Sequence, residues 1–338
     1  MIETDSEVPL PAVEEVRDGV WALPLPMSGP LGHVFAYAVQ LNEGTLLIDA
    51  GPDTDAAFEA LQDGLRLAGS DLADVRAILF THGHPDHYGS SRRLHDVSGA
   101  WLGLHRADAE LLSRVTSEGR AEGLERLRPW LMDLGVESPE LDQILEMVNG
   151  FEYQPPTTTP DRYIVDGERF AVAGGELVAV HTPGHAPGHL CFVHHEAELV
   201  FTGDHILDPT TPNVSINRFT YGNPLADYIA GLERMRGFGD VLGLPGHQDR
   251  VVVARRADAI IAHHEAQLES ITAILAVGPR TVREVAEQMR WAFDWDSFGP
   301  GSIFMATGEA LAHLAVLELR GAADKLPGNP SRWRRSVH

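Results

Sequence analysis

The chain of 338 residues holds a single cysteine, Cys191. One thiol excludes an internal disulfide and any metal cluster built on cysteine sulfur, so histidine and carboxylate are the donors left for a metal. Cationic side chains are scarce too: 26 Lys and Arg stand against 49 Asp and Glu, for a formal charge of -23. That field repels polyanions, which makes nucleic acid and anionic lipid surfaces poor partners. No run approaches the roughly 18 uninterrupted apolar residues of a membrane span, and residues 1–9 are acidic where a secretory signal is basic and then apolar. These absences predict a cytoplasmic protein with a small-molecule substrate and no membrane partner. The one basic cluster, Arg332, Arg334 and Arg335 around Trp333, reads as a solvated, frayed terminus.

What is present is an alternation of short apolar runs and turn signals. Residues 20–25, 34–41 and 45–48 read as strands, 54–68 as a helix with Phe58, Leu61 and Leu65 on one face, and 75–80 as a buried strand. After a helix near 90–97 and a strand at 100–104, residues 107–148 are periodic in leucine and rich in charge. They predict a helical insertion that Pro129 and Pro139 break into about three pieces, closed by Gly150 before a loop at 155–160. Strands resume at 169–172, 176–181, 189–194, 199–202 and 241–244, with a helix at 224–236 between the last two. Two β-rich halves with helices outside predict an α/β fold of four layers, an αβ/βα sandwich. A long amphipathic helix over 254–277 then leads to a separate small unit. Thr281 with Glu284 three residues on signals a capped helix to Arg290, Ser302 precedes a helix to Leu319, and Gly321 onward offers a short wing. The domain boundary is expected near residue 255, with the insertion at about 107–150 inside the first domain and 256–338 as linker helix and appendage.

The chemistry concentrates directly after the strand ending at Phe80, where residues 81–87 read T-H-G-H-P-D-H. Packing does not explain such density, because buried unpaired imidazoles carry a desolvation penalty. Further candidates share a placement: His185 follows the strand 176–181, Asp204 follows 199–202 and His247 follows 241–244, each just past a carboxyl end and beside a glycine. If those strands lie side by side, their tips converge. Five histidines and two aspartates suit two borderline ions: His82, His84 and His185 for the first, Asp86, His87 and His247 for the second, and Asp204 bridging both. Zinc is the expected metal, with iron or manganese as alternatives. Zinc lowers the pKa of bound water from 15.7 to about 7, so a bridging hydroxide serves as nucleophile without serine or cysteine, and Asp86 and Asp204 are the carboxylates expected to take part in catalysis.

H-x-H-x-D-H at 82–87, followed by His185, Asp204 and His247, resembles the dinuclear ligand set of the metallo-β-lactamase superfamily in the variant typified by glyoxalase II. The similarity covers about residues 15–255. It implies that Asp49, in L-I-D-A-G, supports the metal histidines from outside the ligand shell, with Thr81 beside it. His205, next to Asp204, is expected in that supporting layer, and His189 is expected to brace the ligand loop. The C-terminal part, with A-H-H-E at 262–265 and G-E-A-L-A-H-L at 308–314, resembles the winged-helix appendage of the lactamase-like-2 branch. Residues 212–223 resemble a loop that borders the active site in that branch, whose members include thioester hydrolases and single-strand ribonucleases. The helical insertion departs from that pattern and is read as a lid.

Two functions use the same hydroxide. The first is hydrolysis of a carbonyl ester, foremost a thioester of the acyl-CoA or glutathione kind, or a lactone. The second is metal-dependent cleavage of single-stranded RNA. A nuclease needs cations along a phosphate chain, and the acidic composition works against that. Persulfide oxidation on one iron needs fewer ligands than are present. The helices of the appendage carry few cations for DNA, so it is expected to provide packing or a homodimer surface. His263, His264 and His313 are read as structural, and Cys191 as a buried small hydrophobe.

Overall fold

The computed structural model describes residues 9–150 and 158–336. The part of the expected loop at 155–157, and the acidic start up to residue 8, lie outside them. Two compact units emerge among the described residues: 9–113, 158–212 and 235–256 form the first, and 114–150, 213–234 and 257–336 the second. The expected insertion therefore falls largely with the C-terminal residues, a different division from a single boundary near 255.

The first unit is built on two sheets. One runs β1 (Glu14–Arg17), β2 (Val20–Pro26), β3 (His33–Gln40), β4 (Thr45–Ile48), β5 (Val75–Leu79), β6 (Trp101–His105) and β7 (Arg162–Ile164) in that spatial order. Pairing is antiparallel up to β4 and parallel from β4 to β7. Parallel neighbours need crossovers, and α1 (Asp55–Leu67) supplies the one after β4, while α2 (Pro85–Tyr88) and α3 (Ser91–Ser98) supply the one after β5. The Thr54 hydroxyl caps α1 by accepting from the Ala57 amide, and Phe58, Leu61 and Leu65 recur at helical spacing on its buried face. Cutting the fully buried Leu61 back to alanine would cost about 2–5 kcal/mol.

The second sheet contains β8 (Arg169–Val172), β9 (Gly175–His181), β10 (Leu190–His194), β11 (Leu199–Gly203), β12 (Leu242–Pro245) and β13 (Val251–Val252), in the order β13-β12-β11-β10-β9-β8. Alternation along the strands decides which face each residue covers. Leu46 and Ile48 of β4 join Leu190, Phe192, Leu199 and Phe201 in the core between the sheets, whereas Leu47 packs with Phe58, Leu61 and Leu94 under the helices. Cys191, Val193 and Val200 are buried on the opposite face of the second sheet, so both faces of both sheets are covered, as an αβ/βα sandwich requires. The short strands β1, β7 and β13 escaped the sequence because two to four residues show too little periodicity.

Between the sheets' halves of the chain run α4 (Arg106–Ser117), α5 (Arg120–Asp133) and α6 (Glu140–Gly150). Three pieces were expected, but the first break falls at Gly119, and Pro129 lies inside α5. The helix carries through the proline because Leu127 and Leu131 on either side of it are buried in one cluster with Leu141, Ile144 and Leu145 of α6. Tertiary packing here outweighs the lost hydrogen bond. The second unit also contains most of α7 (Pro224–Arg236) and α8 (Val253–Ala276), then α9 (Val282–Gln288), α10 (Pro300–Leu319) and a hairpin of β14 (Ala323–Leu326) and β15 (Arg332–Arg335). Thr281 and Glu284 form the expected capping box on α9. Ile303 and Phe304 of α10 pack against the α5–α6 cluster, and Arg283 of α9 makes a two-pronged ion pair with Glu140 of α6 at 2.6 and 2.8 Å. By length and composition α10 could cross a membrane, yet half of it is buried and it carries Glu309 and His313, which fits a core helix. The basic tail is not frayed. It is β15, in which Trp333 is buried and Arg334 pairs with Asp324, because alternation points the tryptophan inward and Arg332 and Arg334 outward.

Candidate metal centre

Strands β9, β11 and β12 run in one direction, so their carboxyl ends share an edge of the second sheet, although β10 runs antiparallel between β9 and β11. The loop after β5 comes from the first sheet. The tips are therefore gathered from two sheets and not from four adjacent strands, yet all seven candidate side chains meet. His82, His84 and His185 form one group of facing donor atoms, Asp86, His87 and His247 a second, and His82, His87 and Asp204 a third, each with its atoms within 4.8 Å of one another. His84 Nδ1 lies 2.9 Å from both His82 Nε2 and His185 Nε2. His247 Nε2 lies 3.1 Å from Asp86 Oδ2, and Asp204 reaches His87 Nε2 through Oδ1 at 3.3 Å and His185 and His247 through Oδ2 at 3.6 and 3.7 Å.

The surroundings decide which nitrogen of each ring carries the proton. Asp49 accepts from the Thr81 amide at 2.7 Å and from the Thr81 hydroxyl at 2.8 Å. With its proton spent on Asp49, Thr81 Oγ1 accepts from His82 Nδ1 at 3.0 Å, which leaves a lone pair on His82 Nε2. His87 Nδ1 donates to Asp49 Oδ2 at 2.8 Å and His247 Nδ1 donates to the His33 carbonyl at 3.0 Å, so in both neutral rings Nε2 is again the inward lone pair. Asp49 pays for this role with a left-handed backbone, φ 63°.

His82 Nε2 and His185 Nε2 both face His84 Nδ1, and a single proton on that nitrogen can serve only one of them, so the cluster is left with an imidazole lone pair that a cation would satisfy. Two more buried atoms of the site, His87 Nε2 and Asp204 Oδ1, make no hydrogen bond. Zinc bound at 2.0–2.1 Å by tetrahedral donors sets them about 3.4 Å apart, close to the spacings here. The donor set therefore fits divalent metal ions. Crowding is part of the construction: a Cβ on Gly246, beside His247, would lie 2.5 Å from His87 Cε1 and 2.7 Å from Asp204 Oδ1.

Electrostatics agree in part. Burial, reinforced by neighbouring imidazoles, holds His82 well below the ordinary histidine range and brings His84 down to about 3, so both are neutral. Burial pushes Asp86 and Asp204 upward, but His87 and His247 outweigh it and keep both carboxyls ionised. For His87 and His247 burial opposes protonation, and the carboxylates overcome it and raise both. Metal would have to displace those protons, so loading is expected to release protons.

Of the supporting residues expected from the sequence, Asp49 and Thr81 occupy the contacts just described. His205 is fully buried with its ring 5.8 Å from that of His189. His189 Nε2 accepts from the Asp204 amide at 3.1 Å, and its Nδ1 faces the Thr182 hydroxyl at 3.0 Å, so it braces the loop that carries Asp204. Asp108 was missed. It is buried in the first turn of α4, and its signal in the sequence is one ordinary acidic residue at a helix start.

A two-sheet sandwich with imidazoles and carboxylates gathered at its strand ends is a scaffold for metal-dependent chemistry. The family profile of the metallo-beta-lactamase superfamily matches residues 29–247, and the chain belongs to that superfamily. It is 32% identical to the metallo-beta-lactamase family protein TTHA1429 of Thermus thermophilus, whose crystal structure superposes with a TM-score of 0.77 over 95% of this chain and 100% of that one. Similarity at 24% identity covers 90% of this chain and 94% of the probable metallo-hydrolase YqjP of Bacillus subtilis. A shorter match, 34% identical over 36% of each chain, relates it to an atrochrysone carboxyl ACP thioesterase of Aspergillus fumigatus.

Proposed function

We propose that this chain is a metal-dependent hydrolase with a glyoxalase II-type pair of ion sites, acting on a carbonyl ester and foremost on a thioester. The observation that carries this reading is the convergence of buried lone pairs and carboxylates in three overlapping groups. His82, His84 and His185 would hold one ion, Asp86, His87 and His247 the other, with Asp204 shared and zinc as the metal. Ions bound there would supply Lewis acidity, acidifying water and polarising the carbonyl under attack.

The protein's own residues supply position and charge. Asp49 and the His33 carbonyl hold the imidazoles in the tautomers that expose Nε2, and His189 fixes the backbone of Asp204. Metal-ligating carboxylates are ionised, so neither Asp86 nor Asp204 can act as a proton donor to a leaving group. That favours substrates whose leaving group departs without protonation. A thiol of pKa about 8–9 does so far more readily than an alcohol or amine. The thioesterase name of one relative points the same way. The charge of -23 disfavours a polynucleotide substrate.

Metal analysis of the purified protein, run beside a panel of acyl-CoA, glutathione thioester, lactone and single-stranded RNA substrates, tests the reading. About two ions per chain with thioester or lactone turnover is the expected result. RNA cleavage without ester turnover would replace the substrate class, and a chain that takes up no metal would end the proposal.

A further inference from the structure

The residues gathered at the centre come from loops on different sheets, and no strand pairing joins those loops directly. The loop after β5, residues 81–87, carries His82 and His84, and the loop after β9 carries His185. Asp108 stands between them. Its Oδ2 accepts from the Gly83 amide at 2.8 Å, between the two histidines of the first loop, and its Oδ1 accepts from the Gly188 amide at 2.6 Å, three residues beyond His185. One oxygen serves each loop, and only 1% of the residue is exposed.

The fit is closest on the side of the His185 loop. A Cβ at Gly188 would lie 2.8 Å from both the amide nitrogen and Oδ1 of Asp108, and a Cβ at Gly83 would lie 3.2 Å from Leu112 Cδ1, one turn further along α4. Glycine is needed at 188, where a methyl group would wedge the loop away from the carboxylate, whereas at 83 the tip of Leu112 would have to give by only a few tenths of an ångström. Asp108 heads α4, so a helix and not a loop sets its place. Burial alone makes this carboxylate costly, and its pKa is pushed up to about 6 despite the two amides. A polar group retained at such a cost in a well-packed interior calls for a function.

We propose that Asp108 is a positioning residue of the metal centre: its carboxylate clasps the His82–His84 loop to the His185 loop and thereby sets the spacing of the three imidazoles of one ion site. The inference rests on the dinuclear reading above, and it is specific to one of the two sites. The backbone bond from the Leu190 amide to the Thr81 carbonyl at 2.7 Å also ties these segments, so without the clasp the loops would loosen and not part.

Replacing Asp108 by asparagine keeps one acceptor but turns an amide NH2 toward one of the two backbone amides. Chelator competition on zinc-loaded D108N, followed ion by ion, is expected to show one ion held about 10–100-fold more weakly and the other little changed. Gly188→Ala, which presses on the same bond from the loop side, should weaken the same ion and serves if D108N does not fold. The cobalt-substituted proteins add a spectroscopic readout, with the absorption of one ion altered and that of the other retained. A residue that merely stabilises the fold would lower the melting temperature of metal-free and metal-loaded protein alike and leave both affinities as they were. That result in a folded variant overturns the clasp, whereas a wild-type protein that binds no zinc overturns the dinuclear reading itself.

Discussion

Both units bury histidine rings, but to different ends. In the first, His82, His87 and His247 each tie Nδ1 to a fixed acceptor and aim Nε2 at a shared region with carboxylates beside it. In the second, His313 Nδ1 donates to the Glu309 carbonyl at 2.9 Å, His264 Nδ1 faces His313 Nε2 at 3.2 Å, and among the described residues no third ligand joins them. Glu309 of the same helix receives Asn213 Nδ2 at 3.2 Å, and residues 213–216 lie along α10 so closely that a Cβ on Gly308 would lie 2.9 Å from the Ile216 carbonyl. The contrast teaches that the number of buried imidazoles is a poor guide to metal sites. Direction is what separates them: donor atoms of several side chains converge in one unit, whereas in the other two rings face one another and His264 Nε2 is left buried, with no carboxylate or third imidazole completing a ligand group among the described residues.

The strongest way to break this contrast is at Asp204, the carboxylate between the two groups of the first unit. Asp204→Ala is expected to remove bound metal and to lower turnover by about 10³-fold or more, read by metal analysis and kcat. Retained activity would dissolve the distinction between the units. Asp49→Asn leaves every proposed ligand in place but weakens the acceptor of His87 and Thr81. It should reduce metal affinity about 10–100-fold, measured by chelator competition.

In the second unit the expected effects are on stability and depend on pH. Burial raises Glu309 from 4.5 to about 7, so the folded state holds more protons than the unfolded between those values. Its contribution is present below pH 4.5 and lost as pH rises through 7. Burial, with His313 and His263 nearby, lowers His264 to about 2, and burial, with His263 nearby, lowers His313 to about 4, so their contribution is present above pH 6.5 and lost as the pH falls below it. Glu309→Gln should therefore remove about 1–2 kcal/mol of pH dependence between pH 4.5 and 7, seen in denaturant melts, while the acid-side loss from the histidine pair persists. If the variant keeps the wild-type profile, Glu309 does not titrate as described. Smallest of all, Thr281→Ala should cost about 1 kcal/mol through loss of the capping box on α9, with no change in metal affinity.

The first unit was more legible than the second for a physical reason. Strand periodicity and the placement of His82, His185, Asp204 and His247 just past strand ends are local patterns, and topology then brings them together. Asp108 acts through bonds to two backbone amides far away in the chain, those of Gly83 and Gly188. Such partners are set by the tertiary fold and leave no spacing rule in the sequence. The same holds for Pro129, whose place inside α5 depends on what Leu127 and Leu131 touch, and for Trp333, whose neighbours turn an expected loose end into a strand.

The left-handed backbone at Asp49 offers a means of separating shape from charge. Asparagine tolerates that conformation nearly as well as aspartate, glycine adopts it freely, and alanine resists it. Three substitutions at this one position thus dissect the support of the imidazoles: asparagine removes charge while preserving chain path, glycine removes the side chain while relieving strain, and alanine imposes both losses together.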